Sequence, residues 1–160
     1  MTRQLFETYF KERYSLVYRI AFMHMKDHAD AEDVLQEVFL RLLKYQPQFE
    51  GSEHEKAWFI RTTINICKDM IKSKWRSTTI SMEKIPECEK IYFQLPYTKE
   101  DETLWAVLEL PEKYRNCLYF FYYEGYSIKE IAGILKISEN TVKTNLKRGR
   151  EALKSVLEKG

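Results

Sequence analysis

Helix-breaking residues are scarce in this sequence, and no other feature limits its fold so strongly. Five glycines and four prolines among 160 residues are about half the usual share, too few for the repeated tight turns of a β-sandwich or barrel. A hydrophobic share of 44% argues against disorder. The uninterrupted apolar runs are short, as at Leu118-Tyr119-Phe120-Phe121-Tyr122-Tyr123, well below the roughly 20 residues of a membrane span. The expected class is all-α.

Hydrophobic spacing divides the first half of the chain into three helices. Phe6, Phe10, Val17, Ile20, Ala21 and His24 predict the first, over about Leu5–Met25. Val34, Leu35, Val38, Phe39, Leu42 and Leu43 give the second a broad buried stripe. Asp30 can cap its start, Glu32 and Asp33 suit the positive end of its dipole, and Pro47 stops it. Its opposite face carries Glu32, Gln36, Glu37, Arg41 and Lys44. The third follows the polar loop Gln48–His54, with Ala57, Ile60, Ile64, Cys67 and Ile71 inward. Trp58, Arg61, Asn65, Asp69 and Lys72 share another face. Such a row can stack on bases, hydrogen-bond to them and neutralise phosphate. A solvated face with Trp58 tucked at its edge fits the same spacing. The helix ends in a basic-aromatic run, Lys72-Ser73-Lys74-Trp75-Arg76.

A net charge of +2 conceals an uneven distribution. Residues 1–76 carry 13 basic and 11 acidic side chains, residues 77–104 three and six, and residues 105–160 ten and seven. The acidic middle also holds Pro86 and Pro96 and lacks a helical period, which marks residues 77–103 as a linker between domains 1–76 and 104–160.

In the second domain, Leu104, Val107 and Leu108 begin a helix that pauses before Pro111, the expected first residue of the next, about Glu112–Glu124. Gly125 suits a left-handed cap, and Ser127 with Glu130 forms a capping box. Ile131, Ala132 and Leu135 face inward on a short helix, Lys136-Ile137 turns the corner, and Ser138 caps a final helix. That helix turns Val142, Leu146, Gly149, Leu153, Val156 and Leu157 inward and Lys143, Thr144, Lys147, Arg148, Arg150 and Lys154 outward. The result is a helix-turn-helix pattern whose second helix can enter a major groove. Residues 136–154 hold six basic and two acidic side chains, a charge suited to phosphate. Lys136 stands where many such turns place glycine. A packed helical hairpin with a solvated basic face is the plainer alternative.

Catalytic readings find little support. His24 and His28 stand four apart near Asp27, Asp30, Glu32, Asp33 and Glu37, yet the paired Glu-x-x-His motifs of di-iron bundles are missing, and a capped helix with an acidic face explains the same residues. No Gly-rich phosphate loop, nucleophile elbow or Cys/His pair at catalytic spacing occurs. Cys67, Cys88 and Cys117 are odd in number and outside metal spacing, which suits inert thiols in a reducing cytoplasm. The N-terminus has no apolar signal core, so the chain is expected to stay in the cytoplasm.

Two stretches then carry a resemblance. Leu110-Pro111-Glu112-Lys113-Tyr114-Arg115, Gly125 to Ala132 and Ser138 to Thr144 resemble the fourth region of bacterial sigma factors. Asp30-Ala31-Glu32-Asp33-Val34-Leu35-Gln36-Glu37-Val38-Phe39, and Ala57-Trp58-Phe59-Ile60-Arg61 followed by Asn65 and Asp69, resemble their second. Both occur in order with only a short linker between, as in the extracytoplasmic-function (ECF) class. The resemblance implies a non-enzymatic protein without cofactor or metal, whose partners are core RNA polymerase (β′ clamp helices and β flap) and promoter DNA, without membrane insertion. It also allows for an anti-sigma factor, which could hold the chain near a membrane. It assigns Asp33, Gln36, Glu37 and Arg41 to the clamp helices. The loop Phe49–His54 with Trp58, Arg61, Asn65, Lys68 and Lys72 falls to the minus-ten element, where a non-template base is flipped. Asn140, Thr141, Lys143, Thr144, Lys147 and Arg148 fall to the minus-thirty-five element. The linker takes the place that in relatives threads toward the polymerase active centre. Asn145, where commoner relatives carry a basic residue, leaves the promoter sequence open. The competing assignment is a stand-alone helix-turn-helix regulator with an N-terminal interaction domain.

Overall fold

The architecture comes from a computed structural model, which describes residues 1–76 and 102–159. Their elements are all α-helices, in two units, Met1–Pro96 and Tyr97–Gly160. The expected linker lies outside the described residues over 77–101, as does Cys88.

In the first unit, α1 (Arg3–Met25), α2 (His28–Tyr45) and α3 (Ser52–Arg76) pack into a bundle. Thr2 caps α1 by accepting from the Leu5 N–H at 3.1 Å, so the helix begins two residues before the hydrophobic pattern does. Lys26, in the left-handed region at φ 56°, ends α1, and its N–H returns to the Phe22 carbonyl at 2.8 Å. One residue later Asp27 caps α2, accepting from the Asp30 N–H at 2.9 Å. The expected cap, Asp30, instead sits buried in the first turn: Asp27 is the last extended residue and alone can reach that orphan donor. Gln46, again left-handed, closes α2 just before Pro47.

The core joins Val17, Ile20, Phe22 and Met23 of α1 to Val34, Val38 and Leu42 of α2 and Phe59, Ile60 and Cys67 of α3. Each such burial is worth about 1.5–3 kcal/mol. The stripe of α2 is narrower than its sequence suggests, and Leu43 is 43% exposed because it rotates past the edge set by Phe39 and Leu42. Phe10 is also partly exposed, with one face of its ring on Phe39 at 4.9 Å. On α3, Phe59, Thr63 and Ile66 join the expected inward residues and widen that face.

The second unit comprises α4 (Glu102–Leu108), α5 (Glu112–Tyr122), α6 (Ile128–Leu135) and α7 (Glu139–Lys159). Pro111 is the N-cap of α5, one position earlier than expected. Gly125, at φ +73°, turns the chain after α5 where a Cβ would be strained. The capping box of α6 is formed, Glu130 N–H to Ser127 Oγ and Ser127 N–H to Glu130 Oε1, both 3.1 Å. Ser138 caps α7 by accepting from the Thr141 N–H at 3.0 Å. Lys136 occupies the left-handed corner at φ 57°, and the Ala132 carbonyl accepts the N–H groups of both Lys136 and Ile137. On its inward side α7 lies so close to α5 that a Cβ on Gly149 would meet Leu118 at 3.0 Å and Tyr114 at 3.2 Å. Val156 and Leu157, expected inward, are each 42% exposed on the last turns of α7.

Candidate nucleic-acid and polymerase interfaces

The face of α2 away from the core is mixed. Asp33 and Gln36 are exposed, and Glu37 is half-buried, 3.4 Å from Arg41 Nε. Between them stands Leu40, 58% exposed. It is one turn from Gln36 and Glu37, a position that the sequence reading passed over. An apolar side chain on the charged side of an amphipathic helix was the available signal.

The row on α3 is built differently. Phe59 is fully buried, and its neighbour Trp58 stands edge-on to it at 5.0 Å, half-buried at the rim. Phe49 closes over this pair at 5.8 Å from Trp58 and 6.3 Å from Phe59, and it meets His54 at 5.7 Å. The Glu50 N–H donates to His54 Nδ1 at 3.0 Å, and the Glu55 N–H donates to the Gly51 carbonyl at 3.0 Å. The loop is thus folded onto the start of α3. From this cluster the row continues through half-buried Arg61 to exposed Asn65, Lys68 and Lys72. Phe49 supplies a wall of the cluster. The basic-aromatic end of α3 is helical to Arg76.

On α7 all six expected reading residues, Asn140, Thr141, Lys143, Thr144, Lys147 and Arg148, are exposed. The Thr141 hydroxyl shares a 2.8 Å hydrogen bond with Ser138 Oγ at the cap. Two neighbours on α7 make contacts that the sequence reading did not include. Arg150 donates to the Tyr122 hydroxyl at 3.2 Å and so leans back toward α5. Asn145 faces the core at 9% exposure, where its amide reaches Cys117 Sγ at 3.8 Å. A substitution at position 145 therefore alters packing around Cys117. Burial pushes the Cys117 thiol up from its ordinary value, and the Asn145 hydrogen bond offsets part of that rise. Such a thiol is inert.

A largely apolar groove of about 670 Å³ runs beside α4, α5 and α7. Val107, Leu118, Tyr123 and Leu153 form part of its lining, and Arg150, Lys154 and Glu158 place charges of both signs along it. Among the described residues, no cluster of three or more His, Cys, Asp or Glu side chains could hold a metal. No described helix is long and apolar enough to cross a membrane.

Residues 9–77 match the Sigma-70 region 2 family and residues 104–153 the Sigma-70 region 4 family. SigM of Bacillus subtilis, an ECF RNA polymerase sigma factor, is 31% identical over 147 residues, with 90% of each chain covered. The chain belongs to the ECF sigma-factor family. SigE of Mycolicibacterium smegmatis is 33% identical to this sigma factor over 157 residues, 89% of the chain, and the chain spans 58% of the length of that relative. In fold it is similar to the sigma factor RpoE of Bartonella quintana, solved in complex with the anti-sigma factor NepR (TM-score 0.72, 17% identity, 96% of each chain). It is also similar to CnrH, solved in complex with the cytosolic domain of CnrY (TM-score 0.70, 16% identity, 98% of this chain and 90% of that one). A sigma factor directs RNA polymerase to promoters and is not itself an enzyme, and this one presents a region 2 row on α3 and a region 4 row on α7.

Proposed function

We propose that this sigma factor works through four separate surfaces, two on a domain of residues 1–76 and two on a domain of residues 104–160, joined by residues 77–103. Asp33, Gln36, Glu37 and Arg41 dock the β′ clamp helices of core polymerase, with Leu40 as the apolar centre of a polar-rimmed contact. Phe49, Trp58, Arg61, Asn65, Lys68 and Lys72 engage the minus-ten element and receive a flipped base. Asn140, Thr141, Lys143, Thr144, Lys147 and Arg148 read the minus-thirty-five duplex. The groove beside α4, α5 and α7 takes a helix of the β flap, because an apolar trough is the usual seat for an amphipathic helix. An anti-sigma factor is a further partner by analogy with the NepR complex.

The observation that carries this reading is the pairing, in one chain, of a ring-walled polar row on α3 with an exposed basic row on α7. Reconstitution with core polymerase tests it. Purified chain and core together should start transcripts at a defined set of promoters. Glu37→Lys should weaken core association without loss of helicity, since a rim-exposed helix face tolerates substitution. Equal affinity and specificity for duplex with and without core would favour the stand-alone regulator instead.

A further inference from the structure

The loop that leads into α3 and the first turn of that helix are each held from α1. Arg13 grips Glu55 through a two-toothed contact, Nε to Oε2 at 2.5 Å and Nη2 to Oε1 at 2.9 Å. The two side chains are only 18% and 10% exposed. One turn earlier on α1, Tyr9 sets its ring edge-on to Phe49, with centroids 5.8 Å apart at 84°, and leans on Phe59 at 6.1 Å. Glu55 lies in the first turn of α3, and its N–H ties back to Gly51. Glu50 in turn donates to His54. The loop, the start of α3 and one face of α1 are therefore fastened as a single piece.

We propose that Tyr9 and Arg13 are positioning residues for capture of the unpaired promoter base, a step that neither touches. This rests on the assignment of α3 and its loop to the minus-ten element. A planar guanidinium bound at two points fixes orientation as well as distance, which a lysine ammonium cannot do. The Tyr9 ring fixes Phe49, the wall nearest Trp58 on the loop side. Capture of a base already carries the cost of unstacking it. A loop that had to order itself at that moment would add to the cost, and the clamp from α1 removes this second charge on binding.

The test uses the full chain bound to core polymerase and short single-stranded oligonucleotides of non-template sequence, with each of the four bases or an abasic site at the captured position. Arg13→Lys and, separately, Tyr9→Leu should reduce the preference for the best base over the abasic site by about fivefold. Affinity for the abasic strand should stay as in the parent, and so should helix content. Arg13→Lys combined with Glu55→Gln should be no worse than either alone, because both break one contact. Undiminished preference in both single variants, or an equal loss for every strand including the abasic one, would overturn the proposal. Trp58→Ala serves as the reference. If it abolishes base preference while the α1 variants do not, positioning from α1 is wrong and the minus-ten assignment stands. If it too leaves base preference intact, that assignment falls and this proposal with it.

Discussion

On α3, Trp58 and Arg61 are half-buried, and Trp58 stands within a set of rings that includes Phe49, His54 and Phe59. On α7, Asn140, Lys143, Thr144, Lys147 and Arg148 all stand in solvent. Their support comes from behind, through Val142, Leu146 and Gly149 against the rest of the unit. The contrast fits what each row is proposed to meet. A base pulled from its stack needs walls already in place, because stacking repays unstacking only if the partner ring does not have to be ordered first. A duplex edge is read by a convex helix whose side chains reach into a groove, so the backbone must be fixed while the tips stay exposed.

Substitutions that damage one mode of support should spare the other. The largest effect is expected from Gly149→Val, which forces a branched side chain into the 3.0–3.2 Å gap against Leu118 and Tyr114. Calorimetry should show the second unit destabilised by about 2–3 kcal/mol. Duplex binding should fall with it, while binding of single-stranded minus-ten DNA with core polymerase is retained. Next comes Trp58→Ala, which should cost about 1–3 kcal/mol in single-strand affinity, the worth of one stacked base, without change in duplex binding. The smallest is Lys136→Gly. Relief of the left-handed corner at φ 57° should stabilise the second unit by up to about 1 kcal/mol, offset in part by glycine entropy. A rise of a few degrees in its melting midpoint, with unchanged duplex affinity, would show that the corner serves the packing of α6 on α7 and does not itself read DNA.

Much of this could be read from the sequence, because helix faces leave a periodic trace. The stripe Val34–Leu42, the Ser127/Glu130 box and the basic row on α7 each follow from local spacing. The parts that escaped depend on residues far apart in the chain or on the rotation of a helix. Arg13 and Glu55 are 42 residues apart, and nothing in either neighbourhood points to the other. Asn145 looks like a surface amide, yet the close approach at Gly149 turns that side of α7 inward. Asp27 and Asp30 are both plausible caps, and only the backbone at Asp27, extended at φ −148°, decides between them. Leu40 was passed over because a pattern search looks for apolar residues on the core side.

If separate helices open the start site and read the upstream duplex, two variants on one promoter should separate the two steps. Asn65→Ala and Lys143→Ala, each reconstituted with core polymerase, would be compared by permanganate footprinting of the melted region and by salt-titrated binding to upstream duplex. Asn65→Ala should lose permanganate reactivity and alter base preference at the minus-ten element while upstream binding persists. Lys143→Ala should weaken upstream binding and, as a phosphate contact, lower the salt slope by about one. Loss of upstream binding in Asn65→Ala with strand opening intact would refute this division of labour between α3 and α7.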